Sequence, residues 1–117
     1  MADFMYLFWN KGGKMRLDSA SPEEVQRMMQ KWMGWVDQLK KSGNLKETGM
    51  PLEMTGKTVR GSGKAVVDGP YPETKDAVGG FMVVTAKDLD EAAELAKGCP
   101  ILDMGDNSVE VRPVRKM

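Results

Sequence analysis

Apolar and aromatic residues run without a break from position 4 to position 9, Phe-Met-Tyr-Leu-Phe-Trp. A continuous run of this length predicts a central strand covered on both faces. Residues 10–20 are polar, contain Gly12-Gly13 and Lys14, and predict a loop. The period then changes. Val25, Met28, Met29, Trp32, Trp35, Val36 and Leu39 recur at threes and fours, which makes one helical stripe. Ser21-Pro22-Glu23-Glu24 supplies an N-cap, a proline for the first helical position and a capping-box glutamate. Lys40 and Lys41 suit the C-terminal dipole, and Gly43 suits the residue just past the end. Residues 45–54 predict a short strand ending in a loop. Residues 57–60 and 64–67 flank Gly61-Ser62-Gly63 and predict a β-hairpin. Residues 79–86 predict a strand around Phe81-Met82-Val83-Val84. Asp88-Leu89-Asp90-Glu91 opens a second helix with Leu89, Ala92, Ala93, Leu95 and Ala96 turned inward, stopped by Gly98 and Pro100. Residues 109–114 alternate as a half-buried strand does, and Pro113 places its far end at a sheet edge.

The order is β-α-β, a hairpin, then β-α-β. This predicts an α+β fold, a ferredoxin-like βαββαβ-type sandwich with an added β-hairpin and both helices on one sheet face. The other face carries apolar residues with nothing of its own chain to cover them. A second copy, sheet against sheet, is the simplest cover, so a homodimer through the sheet faces is expected.

The chain has 117 residues. That length fits a single domain spanning residues 1–117 and allows a core without staples. One cysteine, Cys99, permits no internal disulfide and suits a reducing cytoplasm. The N-terminus lacks a basic leader region, and no apolar run is long enough for a bilayer, so a cytoplasmic location away from membranes is expected. Seventeen basic and seventeen acidic residues cancel and are interspersed, which leaves no basic stripe for nucleic acid. Histidine is absent. Acid–base work therefore falls to Asp, Glu, Lys, Tyr or Cys, and a His/Cys metal cluster is excluded. No cofactor or metal is called for.

The chemistry-bearing stretch is Asp68-Gly69-Pro70-Tyr71-Pro72-Glu73-Thr74-Lys75, followed by Gly79-Gly80-Phe81. It places a carboxylate where an apolar strand ends and a proline-stiffened loop begins. Asp68 reads as a general acid or base with burial-tuned acidity, or as a turn-former bonding nearby backbone. Tyr71 reads as a pocket-lining donor or a surface loop residue. Glu73 and Lys75 read as a solvated pair, with Lys75 otherwise a holder for an anion. Gly79-Gly80 reads as a bulge, or as a close approach of backbone to ligand. The Trp and Met residues of the first helix are core at this spacing, and they also suit an adaptable apolar pocket wall. Trp9, Trp32, Tyr71 and Phe81 form the expected lining. Arg16 and Arg60 are candidate anion clamps. Cys99, with no histidine to activate it, reads as an inert thiol.

Asp68-Gly69-Pro70-Tyr71, Glu73-Thr74-Lys75, Gly79-Gly80-Phe81, the Asp88–Ala92 helix start and the Val109-Glu-Val-Arg-Pro-Val ending resemble the DGPF group of YCII-related proteins. The resemblance implies a dimeric α/β barrel of ferredoxin-like subunits in bacteria, with a pocket between sheet and helices. It implies a histidine–aspartate pair in relatives, which this chain cannot form. Tyr71 stands where the motif has Phe, and Leu95 where members often have Trp. The expected function is a small-molecule-binding domain for a small apolar or anionic ligand. Weak cofactor-free proton transfer, lyase or isomerase chemistry would use Asp68. The alternative is a non-catalytic regulatory or protein-interaction module, since some relatives are associated with transcription regulation.

Overall fold

The structure is a computed structural model and describes residues 1–11, 20–53, 55–68 and 76–117. β1 (Ala2–Lys11) is the central strand, paired antiparallel with β5 (Asp76–Ala86) on one side and β6 (Ser108–Pro113) on the other. The short β2 (Leu45–Glu47) completes a four-stranded sheet in the order β2-β5-β1-β6. With the hairpin set aside, this antiparallel order and two helices are compatible with a ferredoxin-like arrangement. The strand at residue 10 does not give way to a loop as expected. Asn10 and Lys11 still pair, because β5 begins at Asp76 rather than at residue 79 and offers Ala77 as a partner.

α1 (Pro22–Lys41) starts where its cap predicts. The Ser21 side chain accepts the Glu24 backbone N–H at 3.2 Å. Its end is a Schellman turn. Gly43, at φ 79°, takes the left-handed position, its N–H reaches the Lys40 carbonyl, and the Asn44 N–H reaches Leu39. Trp35, Val36 and Leu39 are buried and Met28 and Trp32 half-buried against the sheet. Met29 departs from the predicted stripe. It is exposed, because a helix on one sheet face buries an arc narrower than its run of apolar residues.

α2 (Leu89–Ala96) is capped reciprocally. Asp88 accepts from the Glu91 N–H at 2.9 Å, and the Glu91 carboxylate accepts from the Lys87 N–H at 3.0 Å. Ala92 and Ala96 are buried, whereas Leu89 and Ala93, expected inward, are exposed. Leu89 is the first helical residue, before the turn that meets the sheet. A 3₁₀ turn, Pro100–Asp103, follows and carries Pro100 and Ile101 into the core. Pro100, expected as a helix stop, also opens this turn.

Both helices lie on the same side of the sheet. Alternate residues of β1, namely Phe4, Tyr6 and Phe8, pack beneath them with Met82, Val84 and Ala86 of β5. Trp35 stacks on Tyr6 at 6.0 Å between ring centroids, and Trp32 meets Phe8 edge-on at 5.3 Å. The intervening residues Met5, Leu7 and Trp9, with Val78, Phe81 and Val83 of β5, face the other way and are only half-buried. Among the described residues, cover on both faces of β1, as the apolar run predicts, is therefore not provided.

The hairpin forms as a separate two-stranded ribbon, β3 (Lys57–Arg60) and β4 (Ala65–Asp68). Its tight turn holds Gly61 and Lys64 at positive φ. Val59 faces Val66 across the ribbon, and they are 64% and 58% exposed.

Candidate functional site

The helix-covered side of the sheet is chemically quiet at its centre. The Tyr6 hydroxyl donates to the Ala92 carbonyl at 2.6 Å, which ties β1 to α2. The Trp35 indole donates to the Leu95 carbonyl at 3.1 Å. Burial first, then the nearby Cys99, raises the Tyr6 hydroxyl well above its ordinary value. Burial likewise pushes the Cys99 thiol up to about 12, with Asp103 adding to it and a backbone bond at Ile101 opposing. A thiol so held is protonated at neutral pH and is not a nucleophile.

Those sequence-predicted site residues that are described are not gathered at one point. Asp68 ends β4 on the ribbon, where its carboxylate meets the Lys57 ammonium at 2.8 Å and is 91% exposed. Trp9 lies on the open sheet face, and its indole N–H donates to the Glu110 carboxylate at 2.8 Å. Phe81 is on that face too, opposite Leu7. Trp32 is on the other side, against Phe8 and Trp35. Trp9 and Phe81 thus share a surface that Trp32 does not reach, since the sheet separates them. Tyr71, Glu73, Lys75 and Arg16 lie outside the described residues. Arg60 sits at the ribbon turn.

Gly79 marks a β-bulge. Phe8 pairs with Gly80 but Trp9 pairs with Val78, so Gly79 is the extra residue. The space that its side chain would fill belongs to Asn10. A Cβ at Gly79 would stand 2.1 Å from Asn10 Nδ2, a distance no real contact shows. Asn10 is on the helix-covered face, 1% exposed, and its Nδ2 has no hydrogen-bond partner. Leaving such a donor unpaired costs roughly 1–3 kcal/mol.

A groove of about 180 Å³ opens between the first half of α1 and the 3₁₀ turn. Met28 and Met104 give it an apolar floor, and Arg27, Lys31, Glu24 and Asp103 surround it. The sequence reading singled out neither Asn10 nor these cations. Asn10 stood at the end of an apolar strand two positions beyond Phe8, an inward position for a polar residue, and that parity was the available signal. Among the described residues no cluster of three or more His, Cys, Asp or Glu could hold a metal, and no helix is long and apolar enough to cross a membrane.

Comparison with known proteins fits this geometry into a family. The YCII-related domain matches residues 4–117, from Phe4 in β1 to the C-terminus. The chain is also similar to Uncharacterized protein R00369 of Rhizobium meliloti (strain 1021), at 39% identity over 49 residues. That stretch is 42% of this chain and 40% of the relative, so the chain spans less than half the length of that curated protein. With the match covering both helices and every strand of the sheet but the first two residues of β1, the chain belongs to the YCII-related domain family.

Proposed function

We propose that this YCII-related domain binds a small organic molecule on the helix-covered side of its sheet and works as a homodimer built through the open side. The single observation that carries the binding reading is the groove between α1 and the 3₁₀ turn, with its apolar floor and charged walls. Small-molecule sites are concave and combine apolar surface with placed polar groups, and this groove offers both. The dimer is supported by the band Met5, Leu7, Trp9, Val78, Phe81 and Val83, which one chain leaves half-exposed. Charged neighbours rim this band: Asp3 with Lys46, and Glu110 with Arg112. An apolar centre with a polar rim is the anatomy of a self-association surface.

Binding rather than turnover is the reading we adopt. Asp68 remains the acid that proton transfer, lyase or isomerase chemistry would call on. Its carboxylate is solvated and tied to Lys57, whereas general acid–base groups work from partly buried settings. The test is a thermal-shift screen of the dimer against small organic acids and their neutral analogues. A saturable rise in Tm supports the reading through mass action, and a flat response across the screen contradicts it.

A protein-interaction role is the second reading. The observation favouring it is the β3–β4 ribbon, whose Val59–Val66 pair is exposed on a two-stranded element of marginal stability by itself. Hydrogen exchange separates the two. Ribbon amides protected in the purified protein argue against a missing partner, and unprotected amides argue for one.

A further inference from the structure

The charges around the groove between α1 and the 3₁₀ turn do not satisfy one another. Elsewhere on the surface, lysines hold the acids within their reach: Lys41 with Asp37 at 3.0 Å, Lys57 with Asp68 at 2.8 Å and Lys97 with Glu94 at 2.6 Å. At the groove, Arg27 and Lys31 stand on the helix and Asp103 on the turn. Among the described residues, none of these three is in an ion pair or a side-chain hydrogen bond. Glu24, the other acid there, accepts the Ser21 hydroxyl at 3.4 Å and so belongs to the helix cap.

Helical spacing explains the arrangement. Glu24, Arg27, Met28 and Lys31 fall at i, i+3, i+4 and i+7, which is one face of α1. Arg27 and Lys31 are thus like charges on neighbouring turns, a pairing that by itself mildly disfavours the helix. Asp103 comes from a different element, so negative charge reaches the groove from the turn. The floor is the half-buried Met28 and the buried Met104, whose flexible thioethers adapt to irregular apolar shapes. The volume of about 180 Å³ equals roughly half a dozen waters at ~30 Å³ each, which suits one small molecule and not a peptide segment. A ligand of one charge would gain from one element and meet its own sign on the other. A ligand carrying both charges on one carbon, with an apolar chain beside them, uses every part of the lining.

We propose that this groove binds a free α-amino acid with an apolar side chain. Its carboxylate accepts from the Arg27 guanidinium and the Lys31 ammonium, its ammonium donates to the Asp103 carboxylate, and its side chain lies on Met28 and Met104. Hydrogen bonds between ionised partners are the stronger kind, and a guanidinium matches a carboxylate in shape. The inference rests on the small-molecule reading and adds to it the ligand class and the residue that meets each of its groups.

The experiment is a titration of the full chain, labelled with ¹³C at the methionine methyls, with three probes. These are leucine, isocaproate (leucine without its ammonium) and isoamylamine (leucine without its carboxylate). Leucine should shift the Met28 and Met104 methyls saturably, while Met29 and Met33, exposed on the same helix outside the groove, stay still. Each single-charge probe should bind about fivefold more weakly or worse, the upper range for losing one exposed ion pair. Asp103→Asn should abolish the preference for leucine over isocaproate, and Arg27→Ala/Lys31→Ala the preference over isoamylamine. All three side chains are exposed, so both variants should keep the wild-type Tm. A single-charge probe that binds as tightly as leucine refutes the amino-acid proposal and leaves the small-molecule reading standing. Methyls that ignore all three probes also refute it, and the small-molecule reading then rests on the Tm screen alone. Shifts of Met29 and Met33 equal to those of Met28 and Met104 mean unspecific contact and refute it as well.

Discussion

The two faces of β1 carry almost the same residue types and have opposite fates. Phe4, Tyr6 and Phe8 are sealed under two helices, while Met5, Leu7 and Trp9 one position away are half open. Hydrophobicity alone does not separate them. What separates them is the period of two in a strand and the fact that both crossovers place their helices on one side. The covered face holds the chain together and carries the groove at its end. The open face is where the proposed second copy takes the place of a missing layer.

The largest expected difference between the faces lies in truncation. Leu39→Ala on the sheet-facing side of α1, where the side chain is 2% exposed, should cost about 2–5 kcal/mol in denaturant unfolding of the monomer. Leu7→Ala should cost the isolated monomer much less than that. Equal losses would erase the distinction between the faces. High pH offers a second way to separate them, because the buried ionisable groups Tyr6 and Cys99 are both on the covered side. Each is neutral in the native state, and the unfolded chain ionises first, from 9.0 for cysteine and 10.0 for tyrosine. The native state therefore holds more protons in that window. Stability should be full below pH 9 and fall as pH rises towards 12, and Cys99→Ala should flatten the early part of the fall. A stability that is constant across this range would contradict the burial of both groups.

Smaller effects sharpen the picture. Tyr6→Phe leaves the Ala92 carbonyl without its donor and should cost about 1–2 kcal/mol. Asp68→Asn removes only the exposed pair with Lys57. It should change stability by about 0.5 kcal/mol or less, read from the shift in denaturation midpoint. A large loss there would mean that the carboxylate does turn-building work beyond that ion pair.

Much of the fold was legible because its signals are local. Ser21, Asp88 and Gly43 announced helix ends through capping chemistry, and Gly61-Ser62-Gly63 announced a hairpin. Pro113 announced an edge, and β6 is one. Some misreadings lie on the helices. Met29, Leu89 and Ala93 are apolar residues just off a buried arc, and a period alone does not say how wide that arc is. The site was less legible still. Trp9, Trp32 and Phe81 read as one lining, but Trp32 comes from the helix layer while strand parity turns Trp9 and Phe81 to the other side, and a run apolar at every position hides that parity. Asn10 escaped notice because a polar residue after an apolar run looks like a loop, and its strand partner, Ala77, precedes the stretch read as the next strand.

The claim that the open face of the sheet belongs to a second copy is tested most directly by sedimentation equilibrium of the wild type beside Leu7→Asp. A wild-type dimer at micromolar concentration, and a folded monomer for Leu7→Asp that keeps most of its monomer stability, is the predicted result. A wild type that sediments as a monomer, or a variant that stays dimeric, would contradict it.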